Sequence, residues 1–332
     1  MMFRPGSRHR ERGAALLIVL LLVATLSVIA LAIVQTVSMA YRTSGLSAAR
    51  SQIMWFALGA EDIASQRLSA ALKLTEGRFS HFTPGLGEPL SFSVPDGKVT
   101  AIFNDHTNCF NLNSLAQQQT SDDSEAELDP AQFYKSLLVA LDFNPGLADE
   151  LVASVQDWID DDNQPRQSGA ETTFYASLEE PYAAGNTFLV TPNELLSMRR
   201  YDGEIFRRIR PYVCTRPDSG LGPFNINTLQ PSDAALLVPV FSEEVSIDVI
   251  RTELESLQTT ELTDDEDFFA RPAFSLVAPE QRLSELIDIK SDYFRLSGDV
   301  VYLDSVTSYE AVFARGNGDD VVLLRRRLGV DE

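Results

Sequence analysis

The sequence predicts an α+β fold in which a long N-terminal helix precedes an antiparallel sheet, and a large all-α domain is inserted into that sheet. An uncharged segment from residue 13 to residue 41 runs directly into an amphipathic helical pattern. Runs of alternating apolar and polar residues follow this pattern and recur near the C-terminus. The residues between these runs carry helix-capping signals, so the strands of the sheet come from two distant parts of the chain.

The uncharged segment is long enough to cross a bilayer. Residues 14–34 are all apolar or small, and a spanning helix needs ~20 such residues. The residues before it carry a cluster of arginines opposed only by Glu11. These arginines are Arg4, Arg8, Arg10 and Arg12. The positive-inside bias predicts a single span in the inner membrane, with a cytoplasmic N-terminus and a periplasmic C-terminal domain.

Three interpretations of this N-terminus remain open. A secretory signal peptide would be cut after Ala40, although the apolar part is longer than a signal sequence needs. An ordinary anchor would stay uncut. In the third interpretation, the short basic leader ending at Gly13 resembles that of type IV prepilins and pseudopilins, which a prepilin peptidase cuts after such a glycine. The mature chain would then begin at Ala14, and Ile18 would stand where most of these proteins carry a glutamate.

The helical pattern continues beyond the membrane. We expect one helix from Ala14 to about Lys73, with residues 14–41 in lipid and the remainder against a folded head. Apolar residues recur in this second half at spacings of three and four. They are Leu46, Ala49, Ile53, Phe56, Ala57, Ala60, Ile63, Ala64, Leu68, Ala71 and Leu72.

The predicted sheet has two parts. Residues 90–94 and 98–103 alternate around Pro95-Asp96-Gly97, which is typical of a β-hairpin. Residues 302–303, 306–315 and 320–327 form a further set of strand-like segments, with a turn at 316–319. We therefore assign residues 42–113 to the outer half of the helix and the first strands, and residues 281–332 to the closing strands.

The inserted helical domain is predicted at residues 114–280. Asn144-Pro145 begins one helix, Thr191-Pro192 begins another with Glu194 completing a capping box, and Ala278-Pro279 begins a third. A quasi-repeat, FNLN at 110–113 and FNINT at 224–228, places a short strand before a turn capped by polar side chains.

The second copy of this repeat is similar to the opening of a helix-hairpin-helix DNA-binding unit. A membrane-anchored competence or DNA-uptake protein is therefore an alternative. The chain carries 27 Lys and Arg against 48 Asp and Glu, a formal net charge of −21. Binding to a phosphate backbone needs clustered cations, so the composition argues against a nucleic-acid partner.

Taken together, these motifs resemble general secretion pathway protein K, the large minor pseudopilin of bacterial type II secretion. The resemblance also rests on residues 156–162 (QDWIDDD), 193–196 (NELL) and 211–214 (PYVC). It implies a subunit at the tip of the periplasmic pseudopilus that promotes assembly and limits fibre growth during protein export. The implied partners are the minor pseudopilins I and J, other pseudopilins, prepilin peptidase and inner-membrane lipid.

The two cysteines, Cys109 and Cys214, both lie in the predicted periplasmic part, each close to one copy of the repeat. In an oxidising compartment we expect them to form a disulfide. Two buried free thiols are the alternative.

An acidic run begins at Asp160. Counted from that residue, Asp162 and Glu171 fall at the third and twelfth positions, which is the oxygen-ligand spacing of an EF-hand, but Pro165 replaces the usual glycine. A solvated acidic helix end would give the same pattern. The resemblance favours structural calcium, assigned to Asp160, Asp162 and Glu171, and implies a second ion whose ligands the sequence does not locate.

No catalytic motif is present in the sequence. It has three histidines, and neither a Gly-x-Ser-x-Gly motif nor a phosphate-binding loop. Asp157 beside Trp158 is more typical of a helix-anchoring tryptophan with a polar neighbour than of a buried catalytic acid. An anchored periplasmic hydrolase remains a third alternative, and we expect a protein that is not an enzyme.

Overall fold

The computed structural model describes residues 9–117, 129–303 and 305–329. Residues 1–8 of the predicted leader and residues 330–332 of the closing segment lie outside this range, and the side chains described begin at residue 15. The α-helices are α1 (His9–Thr75), α2 (Pro130–Ala140), α3 (Pro145–Ile159), α4 (Thr172–Tyr175), α5 (Gly203–Ile209), α6 (Ile247–Leu257) and α7 (Glu266–Phe269). Short segments of 3₁₀ helix lie at Leu112–Ala116, Pro192–Ser197, Arg210–Tyr212, Pro231–Leu237, Pro239–Phe241, Pro272–Phe274, Pro279–Gln281, Ser284–Leu286 and Asn317–Asp319.

The main sheet has five antiparallel strands drawn from both ends of the head. They are β1 (Pro89–Val94), β2 (Gly97–Asp105), β7 (Tyr293–Tyr302), β8 (Ser305–Arg315) and β9 (Val321–Leu328), in the spatial order β1-β2-β7-β8-β9. Two short parallel pairs lie outside this sheet: β3 (Phe110–Asn111) with β4 (Val213–Cys214), and β5 (Phe224–Asn225) with β6 (Ile287–Asp288). Because β2 pairs with β7, the sheet closes across the whole inserted segment.

The predicted hairpin is present, with a tighter turn than expected. Val94 pairs directly with Gly97, so Pro95 and Asp96 alone form the turn, and Asp96 has a φ of 56°. Gly97 already belongs to β2. A Cβ at this position would lie 2.1 Å from the carbonyl oxygen of Val301 on β7, which explains the glycine.

The second half of α1 packs on one face of the sheet. The buried seam on the helix consists of Ile53, Ala57, Ala60, Ala64, Leu68 and Leu72. Opposite it lie Ala101 on β2, Leu296 on β7 and Ala311 on β8, all buried. The three alanines on the helix let its backbone approach the sheet closely. Of the predicted apolar stripe, Leu46 and Ile63 are exposed because they lie outside this seam.

A second hydrophobic core fills the segment between β2 and β7. The stacked rings of Phe110, Phe133 and Phe224 form its centre, with ring centroids 5.8 and 6.0 Å apart. Phe110 and Phe224 open the two copies of the repeat, so both copies share one core. The segment extends from about residue 106 to residue 292, wider than the predicted 114–280.

Several sequence predictions need correction within this segment. The segment contains the two parallel strand pairs and many 3₁₀ turns, so it is less purely α-helical than expected. The helix predicted after Ala278 is a single 3₁₀ turn, because the backbone N–H of Leu283 donates to the carbonyl of Val240 and draws the chain away. The strand predicted at residues 306–315 is β8 (Ser305–Arg315), whereas Tyr302, also predicted as strand, is the last residue of β7, which begins at Tyr293.

Candidate functional site

The N-terminal half of α1 stands clear of the head. Every side chain described from residue 15 to residue 48 is exposed. An 18-residue stretch of this helix has a mean hydropathy of 3.2 and is apolar enough to cross a membrane. Ile18 is 59% exposed. Gly13 and Ala14, the predicted cleavage positions, lie within the first turns of α1. This half of the helix is available to lipid and to neighbouring helices.

Asparagine side chains in the two copies of the repeat hold the inserted domain together. Asn113 pairs with the backbone of Leu189 through both its oxygen and its amide nitrogen, at 2.8 and 3.0 Å, and also donates to the carbonyl of Arg216. Asn227 makes the same two-way contact with the backbone of Leu262, at 2.9 and 2.8 Å. A carboxamide carries an N–H donor and a carbonyl acceptor, as a peptide group does. Each asparagine side chain therefore makes the two hydrogen bonds that the backbone of a neighbouring strand would make.

These contacts bear on the DNA-uptake alternative. Asn225 and Asn227 are buried, with at most 3% exposure, and their side chains are occupied by internal hydrogen bonds. The FNINT segment therefore has no free polar side chain for a base or a phosphate among these asparagines. Its role is structural.

A polar junction joins the inserted domain to the sheet. Asp105, the last residue of β2, accepts hydrogen bonds from the Thr107 backbone and from the hydroxyls of Thr228 and Ser291. Burial raises the pKa of Asp105, and these hydrogen bonds oppose that shift. The same region contains the disulfide between Cys109 and Cys214, with Cα atoms 5.7 Å apart, which confirms the predicted pairing.

A group of buried carboxylates lies at the C-terminal end of α3. Asp157, Asp160 and Glu171 each offer an oxygen within 4.8 Å of the others. Asp157 and Asp160 are three residues apart on the helix and therefore share a face, and Glu171 precedes α4 and reaches back to them. Gly169 allows this close approach, since a Cβ there would lie 2.0 Å from Asp157 Oδ2.

Among the described residues, the cation that forms ion pairs with this group is Arg166. Its guanidinium donates to Asp157 Oδ1 at 2.8 Å and to Asp160 Oδ2. Glu171 has no such partner: burial, followed by the negative charges of Asp160 and Asp157, raises its pKa to about 7. Burial also raises the pKa of Asp157, against the opposing effect of Arg166.

The donor set fits a hard divalent cation. Asp160 Oδ1 and Glu171 Oε1 are buried and have no hydrogen-bond partner among the described residues. Asp160 is 7% exposed and Glu171 is 1% exposed. Carboxylate oxygens are the ligands that calcium prefers, and a bound cation would satisfy both of these oxygens.

The structure brings together two of the three predicted ligands, Asp160 and Glu171, and adds Asp157. Asp162 lies outside this group of three, and its carboxylate accepts a hydrogen bond from the backbone N–H of Gln164 at 2.7 Å. Its charge still contributes to the raised pKa of Glu171. Asp157 takes its place. The three-residue spacing of Asp157 and Asp160 at the end of α3 could have indicated this pair in the sequence. The EF-hand pattern was counted from Asp160 onward and therefore did not include Asp157.

An apolar N-terminal helix that continues onto an antiparallel sheet, with a disulfide-linked domain inserted into the sheet, defines a pseudopilin. The family model for Type II secretion system (T2SS), protein K, matches residues 108–218. The type II secretion system protein K of Klebsiella pneumoniae is 35% identical over 80% of this chain and 81% of its own length. The chain belongs to the type II secretion system protein K family.

Two further comparisons extend over more of the chain. The type II secretion system protein K of Aeromonas hydrophila is 32% identical over 97% of this chain and 98% of its own length. A chain in the crystal structure of the GspK-GspI-GspJ complex from the enterotoxigenic Escherichia coli type 2 secretion system superposes with a TM-score of 0.75. It is 25% identical, and the match covers 85% of this chain and 97% of that one.

Proposed function

We propose that this protein is a minor pseudopilin at the tip of the periplasmic pseudopilus, where it promotes assembly and limits fibre growth. The observation that carries this proposal is the second core between β2 and β7, which makes the head much wider than α1 and its sheet. Identical subunits of this width would clash when stacked along the helix direction. A position at one end of the fibre avoids those clashes, and the role is one of assembly rather than catalysis.

The missing glutamate supports the same position. In an apolar segment, a carboxylate is tolerated only when a neighbouring group neutralises it. Ile18 is exposed and uncharged, so it imposes no such requirement on the subunit beside it.

The proposed partners are the minor pseudopilins I and J, by analogy with the complex in which the similar Escherichia coli chain was solved. The outer side of α1 offers them apolar side chains that the sheet does not cover. These are Leu46, Met54, Trp55 and Ile63. Trp55 is 68% exposed, and large aromatic residues contribute strongly to interfaces. Other pseudopilins would pack beside the apolar half of α1 in lipid.

We also propose that prepilin peptidase cuts between Gly13 and Ala14, on the cytoplasmic side of the inner membrane. The mature protein would then be a single-span chain with a periplasmic head. N-terminal sequencing from cells with and without the peptidase tests this step. We expect a start at Ala14 only when the peptidase is present; an uncut chain in both strains, or a start at Tyr41, would overturn the assignment.

The tip position has its own test. We expect affinity-tagged protein to recover pseudopilins I and J in equal amounts, and the variant Trp55→Asp to lose them, whereas Trp158→Phe, at a tryptophan buried in the head, should retain them. Gold labelling of the head on isolated fibres should mark one end only. Label distributed along the fibre would contradict the proposal.

Calcium is the cofactor that we propose for the head, held by Asp157, Asp160 and Glu171. A bound calcium ion would neutralise carboxylates that Arg166 balances in part, and would compete with that guanidinium for Asp157 and Asp160. The buried oxygens without partners support this proposal.

A calcium titration of the full chain in detergent, followed by its melting temperature, tests the site. Binding to the folded state alone raises the melting temperature. We expect the wild type and Glu180→Gln, an exposed control, to respond equally, and Glu171→Gln to lose the response. An absent response in the wild type, or an equal response in Glu171→Gln, would exclude this site.

A further inference from the structure

A cleft separates the sheet from the inserted domain, on the face of the sheet opposite α1. Its volume is about 790 Å³. Four residues that pair side by side across β2, β7, β8 and β9 form the floor of the cleft. They are Ile102, Ser297, Glu310 and Arg327. Its wall is the segment from α5 into the following 3₁₀ turn, which contains Phe206 and Arg210.

The cleft is basic although the chain as a whole is strongly acidic. Four arginines line it: Arg207, Arg210, Arg295 and Arg327. The carboxylates in its lining are Asp299 and Glu310. Asp299 accepts a hydrogen bond from Ser308, and Glu310 is paired with Arg325, at 2.9 and 3.2 Å. Against a net charge of −21, such a local excess of guanidinium groups is unusual.

Two of these arginines, Arg210 and Arg295, line both this cleft and the cavity beside it. Within the described residues, neither the Arg210 nor the Arg295 guanidinium donates a hydrogen bond or forms an ion pair, and Arg295 Nε is buried without a partner. Burial lowers the pKa of Arg210, and so do the charges of Arg295, Arg325 and Arg327, while the charge of Glu310 opposes the shift. These like charges repel one another until an anion lies between them.

Burial and the same arginine charges lower the pKa of a neighbouring histidine. His106 lies in an adjoining cavity of about 390 Å³ that shares Arg210 and Arg295 with the cleft. Burial lowers its pKa well below the usual value, and Arg295, Arg216 and Arg325 lower it further. The positive charge of the cleft therefore comes from arginines, whose planar guanidinium groups bind carboxylates through paired hydrogen bonds.

We propose that this cleft binds the carboxylates of an acidic peptide segment from a partner protein, held between Arg210 and Arg295. Arginines on two separate layers suit a narrow extended segment. Pro89, Ile102 and Phe206 offer apolar contacts beside the charges, as a peptide with alternating side chains requires. A flat lipid surface or a nucleic-acid duplex would not enter a concave site of this size.

A fluorescein-labelled peptide, Gly-Glu-Leu-Glu-Leu-Glu-Gly, is the probe, with the full chain in neutral detergent and fluorescence polarisation as the measurement. We expect the Arg210→Gln/Arg295→Gln variant to bind it about tenfold more weakly or worse. The control Arg67→Gln/Arg251→Gln removes the same charge from exposed positions and should bind within about twofold of wild type. A probe with glutamine in place of each glutamate should bind neither protein.

Arg207→Gln/Arg327→Gln, which removes the other two arginines of the lining, provides a second test if the first variant does not fold, and it should also weaken binding. Equal binding of the acidic probe to wild type and both cleft variants would overturn the proposal, and so would equal binding of the glutamine probe. Displacement of the probe by single-stranded DNA or anionic vesicles more effectively than by unlabelled peptide would also overturn it.

Discussion

Glu61 on the long helix and Arg326 on the last strand share two hydrogen bonds of 2.6 Å each, although 265 residues separate them in the chain. The Glu61 side chain is 12% exposed, and the hydroxyl of Tyr309 lies 3.5 Å from the same carboxylate. This paired contact attaches the edge strand of the sheet to the helix. Forces transmitted along α1 therefore reach β9 directly.

Replacing Glu61 by glutamine should lower the free energy of unfolding by about 1–2 kcal/mol. A bidentate arginine–carboxylate pair is stronger than a single surface ion pair, but the Arg326 side chain is 31% exposed and solvent screens part of the interaction. A double-mutant cycle with Arg326→Gln, measured by thermal unfolding in detergent, gives the coupling energy. Asp62→Asn, at the next position of the helix and exposed, is the control. An equal loss of unfolding free energy in Glu61→Gln and Asp62→Asn would contradict a stabilising Glu61–Arg326 pair.

Removing the disulfide with Cys109→Ala/Cys214→Ala should destabilise the head. The bridge spans a sequence separation of 105, for which the loop-entropy relation gives about 4–5 kcal/mol as an upper value. Reductant should lower the melting temperature of the wild type towards that of the variant and leave the variant unchanged. An equal effect of reductant on both proteins would mean that it acts elsewhere.

The two copies of the repeat should respond alike to mutation. Asn113→Ala and Asn227→Ala each leave a buried backbone N–H and C=O without partners, at Leu189 and Leu262 respectively, so each should cost about 2–4 kcal/mol. Asn163→Ala, at an exposed loop position, should cost less than about 0.5 kcal/mol. Thermal unfolding compares the three, and a large difference between the first two would show that the copies are not equivalent.

Asp105 should make stability depend on pH. Its pKa is raised in the folded state, so between the unfolded value of ~3.9 and the raised value the folded chain binds more protons, and stability falls as pH rises. Asp105→Asn cannot ionise and should lose this slope. Melting temperatures at intervals from about pH 4 upward compare the two proteins. The variant should gain on the wild type as pH rises, and parallel curves would contradict the raised pKa.

Arg166 should contribute more to the stability of the head when calcium is absent than when it is present. Arg166→Gln leaves buried carboxylates without a counter-charge, and we expect a loss of about 2–3 kcal/mol in chelator. If calcium binds to Asp157, Asp160 and Glu171, saturating calcium should restore most of that stability. Arg199→Gln, which removes a neighbouring cation outside the carboxylate group, should show no calcium-specific restoration.

Local patterns determined much of this fold. The three- and four-residue spacing predicted α1, the alternation around Pro95-Asp96-Gly97 predicted the β1–β2 hairpin, and Asn144-Pro145 predicted the start of α3. Each of these signals acts within a few residues of its own position. Most of β7 was missed because Ser297, Gly298 and Asp299 weaken its local strand signal. Its place at the centre of the sheet comes from pairing with β2 and β8.

The sequence by itself predicted the long apolar N-terminal helix, the class of fold, the family and the pairing of Cys109 with Cys214, since composition, periodicity and a count of two cysteines carry that information. Only the tertiary structure decided that Asp157 rather than Asp162 lies beside Asp160 and Glu171, that Glu61 binds Arg326, and that Arg210 and Arg295 line one cleft. Each of these groupings joins side chains whose distance depends on how a loop turns or how two layers pack. Residue spacing along the chain does not encode those distances.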